Sequence, residues 1–275
     1  MKILPAFQEL DLILRGEKTK PEALKRASLE ISLQQILMMI ILLGMLYGLC
    51  MSVFAMTQDY PGHYLQVIAA IIKVPALFML TLLITFPSLY VFNALVGSRF
   101  GVLELLRLLI ASLGVSLAML GSLGLIVAFF SVSSNSYAFM ILLNVFVFSV
   151  SGFLGLKFLL QTLHRMSILT AQEDDSAEKK TSPPVEEYAG EIEIVEEPVK
   201  ETGPLAKLYG PILGGELKTV FRCWIVVFGL VGAQMSWVLR PFIGDPNSEF
   251  AWFRPRGSNF FEAVFNTLLS LLGLT

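Results

Sequence analysis

ILMMIILLGMLYGLCMSVFAM, residues 36–56, carries no charged side chain and is long enough to cross a bilayer as a single helix. About 20 apolar residues span about 30 Å of hydrocarbon at the rise of an α-helix. Four further runs repeat the pattern: 74–97 (VPALFMLTLLITFPSLYVFNALVG), 108–131 (LLIASLGVSLAMLGSLGLIVAFFS), about 138–160, and the shortest, 223–239 (CWIVVFGLVGAQMSWVL). Backbone amides in lipid find no water, so each run must bond to itself as a helix. The alternating strands of a β-barrel are absent from this pattern.

These five runs predict an all-α, polytopic transmembrane helical bundle. A sixth apolar stretch, 260–274, contains Glu262 and Asn266 and is shorter, so it reads as a C-terminal interfacial or re-entrant helix, with a sixth span as the alternative. Composition agrees. The 275 residues are 55% hydrophobic and 15% charged, with a mean hydropathy of +0.70, where soluble domains carry about 25% charge. A net charge of −2 gives no basic field for nucleic acid. Cys50 and Cys223 both lie in apolar runs, which argues against a disulfide or a metal site between them.

Lysine and arginine set the expected orientation, because they resist translocation. They crowd the N-terminal segment (Lys2, Arg15, Lys18, Lys20, Lys25, Arg26), the 98–107 connection (Arg99, Arg107) and the long 161–222 connection. Between the first two runs stands only Lys73, read as the end of an outer loop, and SSNSY between the third and fourth has none. With five crossings the N-terminus is cytoplasmic and the C-terminus extracytoplasmic, and the expected site is a bacterial inner membrane.

The segments divide accordingly: 1–35 a cytoplasmic amphipathic segment of two surface helices, 36–166 the first four spans, 167–222 an acidic, largely disordered cytoplasmic loop with an interfacial stretch, 223–239 the fifth span, and 240–275 an extracytoplasmic aromatic loop with the C-terminal helix. The acidic stretch 171–202 holds eleven acids against three lysines, with three prolines, and such composition does not repay its ordering entropy. The outer stretch RPFIGDPNSEFAWFRPRGSNFFE is unusual for a loop. It combines Arg240, Arg254 and Arg256 with Trp252, Phe260, Phe261 and three further phenylalanines. It reads as an aromatic belt capping the bundle, or as a surface for a partner domain or lipid headgroup.

Within the spans, Gly44, Gly48 and Ser52, then Gly114 and Ala118, then Gly229 and Ala233 recur every fourth residue. Such stripes let helices approach closely, within one chain or between copies; the first is the stripe a homo-oligomer would use. Proton relays need ionisable groups in mid-bilayer. The buried polar candidates here are instead the amides Asn93, Asn144 and Gln234, suited to interhelical hydrogen bonds. No HExxH, Walker loop, GxSxG or paired intramembrane aspartate is present. The expectation is therefore no enzyme, no cofactor and no metal.

The layout of a cytoplasmic N-terminus, five helices and many small and aromatic residues resembles the Yip1-type membrane proteins. Leu208-Tyr209-Gly210-Pro211 looks like the LYGP core of that family's signature, although here it precedes the fifth span rather than the first. The VLRPFIGDP…FRPRGSNFFE region is similar to a bacterial Yip1-like group. This resemblance implies a membrane organiser or partner-binding protein. The expected function is a non-catalytic membrane scaffold or complex subunit that binds partners through its cytoplasmic tails and aromatic outer loop. Its alternative is a channel or transporter for a small solute, built on the amides and the proline-containing second span.

Overall fold

A computed structural model of the chain describes residues 3–20, 31–58, 62–95, 101–181, 212–246, 248–255 and 257–274, with backbone only at 92–95, 167–181, 212–218 and 220–221. Every regular element among them is helical: α1 (Ile3–Leu14), a 3-10 turn (Glu17–Thr19), α2 (Leu33–Thr57), α3 (His63–Leu95), α4 (Val102–Ser133), α5 (Tyr137–Thr181), α6 (Ile212–Leu239) and α7 (Phe260–Leu271). Helices α2, α3, α4, α5 (over 137–166) and α6 (over 222–239) are long and apolar enough to cross a membrane. The chain is thus a multi-pass integral membrane protein. Helix α7 has 12 residues, about 18 Å, which is too short for a sixth crossing.

Three boundaries differ from expectation. Helix α3 begins at His63 rather than Val74, so Lys73 lies inside the helix and not in a loop. Helix α5 runs on to Thr181, into the stretch expected to be disordered. Its last turns, AQEDDSAEKKT, are rich in good helix formers, and Asp175 precedes Lys179 by four residues. Extending an existing helix needs no new nucleus, and Pro183-Pro184 follow one residue beyond its end. Helix α6 likewise starts before Cys223, at Ile212. The rest of the acidic stretch, 182–211, lies outside the described residues, as do the LYGP segment and the second expected N-terminal helix.

Packing follows the order α5–α4–α2–α3–α6, an arc whose end members, α5 and α6, touch each other little. Small residues bring the inner helices together. A Cβ on Gly48 would stand 2.5 Å from the Ala70 carbonyl oxygen of α3, and one on Gly44 would stand 3.0 Å from Pro75. Gly121 and Gly124 face Leu43 and Cys50 of α2, and Gly155 of α5 lies against Ser112 and Ser116 of α4. Two polar side chains bond across helices within this core. The Tyr47 hydroxyl donates to Asn144 Oδ1 at 2.7 Å, and Asn144 Nδ2 donates to the Met140 carbonyl. Trp224 is fully buried, its indole N–H bonding the Thr85 carbonyl at 3.2 Å, and so pins α6 to α3.

Helix α1 packs against the bundle through one face. Ala6, Leu10 and Ile13 are buried between α2 and α4, and Leu10 meets Gly114, twelve residues into α4. Leu4 and Phe7 point away and are exposed. Its exit is tied down at the same end of the bundle, where Glu9 accepts from the Ser32 amide and Arg165 of α5 donates to the Thr19 carbonyl. That end is called proximal here. The opposite, distal end carries the α2–α3 and α4–α5 connections and residues 240–274.

Candidate functional site: a bonded roof over an open cleft

The described residues of the distal segment 240–259 form no helix or strand, yet side chains of α3 hold its backbone. Gln66 Nε2 donates to the carbonyls of Phe242 (2.8 Å) and Pro241 (3.2 Å). Lys73, only 3% exposed, donates to the carbonyls of Pro241 (3.0 Å) and Trp252, and its ammonium lies 5.1 Å from the Phe253 ring centre. Gln66 and Lys73 are seven residues apart, two turns along one helix face. A buried ammonium is costly unless its donors are satisfied, and here carbonyls and a ring face serve that purpose. The loop bonds to itself as well: Asp245 accepts from Ser248 Oγ at 2.9 Å and from Arg254 Nη1 at 3.2 Å.

Two local features fix where the segment enters and leaves. Gly62, just before α3, has φ +88°, and a Cβ there would also stand 2.7 Å from Phe250 Cβ; only glycine suits both the turn and the close approach. Asn259 caps α7, its Oδ1 accepting from the Glu262 amide at 2.9 Å. The Trp237 indole N–H bonds the Ser258 carbonyl, and the Arg240 guanidinium lies 3.3 Å over the Trp237 ring while donating to the Pro255 carbonyl.

Beneath this roof, where α5 and α6 diverge, lies a cleft of about 940 Å³ walled by α3, α5, α6 and α7. Its lining is apolar apart from a few groups. Arg240 and Arg254 stand at the distal mouth, and no carboxylate lines the cleft among the described residues. Arg240 Nε is buried without a hydrogen-bond partner. Burial, and then the neighbouring Arg254, hold the Arg240 guanidinium below its ordinary pKa, while Tyr137 pulls it back up. Among the described residues no group of three His, Cys, Asp or Glu side chains is placed to hold a metal ion.

The residues singled out by sequence divide between core and cleft. Gly44, Gly48, Ser52, Gly114 and Ala118 pack inside the arc. Gly229 and Ala233 line the cleft instead, and nothing stands within 4 Å of a Cβ placed at Gly229. Asn144 reaches the cleft wall with its amide already bonded, and Gln234 is half-buried on α6. The Asn93 side chain and Arg256 lie outside the described residues. Arg240, Arg254, Phe260 and Phe261 converge on the mouth, while Trp252 lies on the roof, 46% exposed. Sequence reasoning missed Gln66, Lys73, Trp237, Asp245 and Gly155. The one signal for the first two was a pair of polar residues two helical turns apart inside YLQVIAAIIK, which is otherwise apolar. Comparison of the chain with protein-family models, with curated proteins and with solved structures finds no match.

Proposed function

We propose that the chain is a non-catalytic scaffold or subunit of a membrane protein complex, offering residues 240–274 to a partner on the outer face of a bacterial inner membrane. The crowding of lysine and arginine toward the proximal end supports that orientation, and the layout shared with Yip1-type proteins supports an organising role. The observation that carries the reading is a contrast between the anchored backbone of the roof and the rings of the roof and α7. Its backbone is held by buried Gln66 and Lys73, yet Phe253 (60% exposed), Phe261 and Phe265 remain uncovered. Anchored backbone with uncovered rings is what a preorganised interface needs, because little ordering remains to be done on binding. The Gly44–Gly48 stripe is covered by α3, so a homo-oligomer, if one forms, uses another face.

The test is affinity purification of the full chain from native membranes in mild detergent, beside the Trp252→Ala/Phe253→Ala double variant. A protein partner retained by the first and lost by the second is expected. Recovery of the chain alone under several extraction conditions counts against the reading.

A further inference from the structure

We propose that the cleft between α5 and α6 is a binding site for one anionic phospholipid drawn from the distal leaflet, its acyl chains along the apolar walls and its phosphate at Arg240 and Arg254. This goes beyond the scaffold reading and does not depend on any protein partner.

Shape is the first argument. On α6 the lining runs from Trp237 down to Val226, eleven residues or about 17 Å, which matches the roughly 15 Å hydrocarbon depth of one leaflet. The cleft is also open to the side, since Phe153 of α5 and Leu230 of α6 belong to its lining and are exposed. Gly152 of α5 and Gly229 of α6 both belong to the lining, with nothing within 4 Å of either Cβ position. A lipid can therefore enter from the bilayer without passing the roof.

Charge is the second argument, and it selects the headgroup. Among the described residues the two arginines are the charged residues of the lining, and both belong to the distal segment that follows α6. Arg254 already shares Asp245, whereas among the described residues Arg240 meets the Pro255 carbonyl and the Trp237 ring, with Nε buried and unpartnered. Two adjacent guanidinium groups, one with an unused buried N–H, match a phosphodiester. An apolar helix of another protein would bury those groups without an anion, which is costly.

The full chain, purified in mild detergent and offered equimolar phosphatidylglycerol and phosphatidylcholine of the same acyl chains, is read by native mass spectrometry. One retained phosphatidylglycerol per chain is expected in preference to phosphatidylcholine. Arg240→Gln and Arg254→Gln should each cut that preference about fivefold, the effect of one cation near an anionic lipid surface, and Arg240→Lys should keep most of it. Gly229→Trp fills the cleft without touching either arginine and should expel the lipid. For position, a photoactivatable group on Gly229→Cys, in a Cys223→Ser background because Cys223 is exposed, should crosslink phosphatidylglycerol. Equal retention of the two lipids overturns the proposal. So does a preference untouched by both arginine variants, retention undiminished in Gly229→Trp, or a crosslink only to protein.

Discussion

The two sides of this bundle use the same residue type to opposite ends. Where α2, α3 and α4 meet, glycines are contact points. Gly48 has the Ala70 carbonyl against it, and Gly121 and Gly124 have Leu43 and Cys50. Where α5 and α6 diverge, Gly152 and Gly229 have empty space in front of them. In lipid, helices gain no hydrophobic free energy by meeting, so close packing must supply the attraction. The first side is therefore built to stay closed, and the second is free to take something else between its helices.

The sharpest way to break this comparison is to add one carbon on the closed side. Gly48→Ala places a Cβ 2.5 Å from a backbone oxygen and 2.9 Å from the Ile71 Cα, and backbone cannot rotate aside as a side chain can. A loss of about 3 kcal/mol is expected, at the upper end of overpacking costs, read as a lower unfolding temperature in detergent. Gly155→Ala should behave alike, with the Ser112 carbonyl oxygen 2.7 Å away. An unchanged melting temperature for both would mean the closed side is not closed.

Next in size is the bond between the roof and α3. Lys73→Met keeps the stem but removes the donor shared by the Pro241 and Trp252 carbonyls. With hydrogen bonds to charged groups contributing about 1.5–3 kcal/mol, limited proteolysis across 241–255 should quicken at least tenfold while α2 and α4 stay protected. If the roof keeps its protection, Lys73 is not what holds it.

Lys73 also marks where the sequence stops being legible. Apolar runs can be read off because hydrocarbon thickness sets their length, and five of five predicted crossings are apolar helices long enough to span. A lysine at the edge of such a run reads as a boundary, since an unsatisfied ammonium cannot stay in lipid. Its partners are carbonyls 168 and 179 residues away, and no local pattern announces a carbonyl. The small-residue stripes have the same limit. Spacing by four tells that one face is flat, but not what covers it, so Gly44 and Gly229 look alike in sequence and differ in the fold. Helix α1 has the same limit: its amphipathic pattern fits a water boundary as well as a groove between two helices.

A smaller effect is expected inside the closed side, at the link between α2 and α5. Tyr47→Phe removes the donor to Asn144 Oδ1 and leaves that oxygen without its interhelical partner. Interhelical hydrogen bonds in membranes average about 0.6 kcal/mol because the separated helices find other partners. Phe keeps the edge-to-face contact with Phe148, whose ring centre lies 5.3 Å away. A loss near 1 kcal/mol is therefore expected from reversible unfolding in mixed micelles. A loss as large as that of Gly48→Ala would show that the amide, rather than helix proximity, organises this side.

The smallest expected effect carries the most information about the open side. Gly229→Ala adds a methyl where nothing lies within 4 Å, so the contact term that dominates at Gly48 is absent. What remains is backbone entropy. Glycine within a helix is less favourable than alanine by about 0.8–1 kcal/mol in water, and lipid, by restricting the separated helix as well, lowers that figure. The substitution should leave stability unchanged or raise it by up to about 1 kcal/mol, as measured by the same unfolding assay. Gly152→Ala on the facing wall should match it. If either variant instead loses as much as Gly48→Ala, α5 and α6 come together in the membrane, and the cleft between them closes without a ligand.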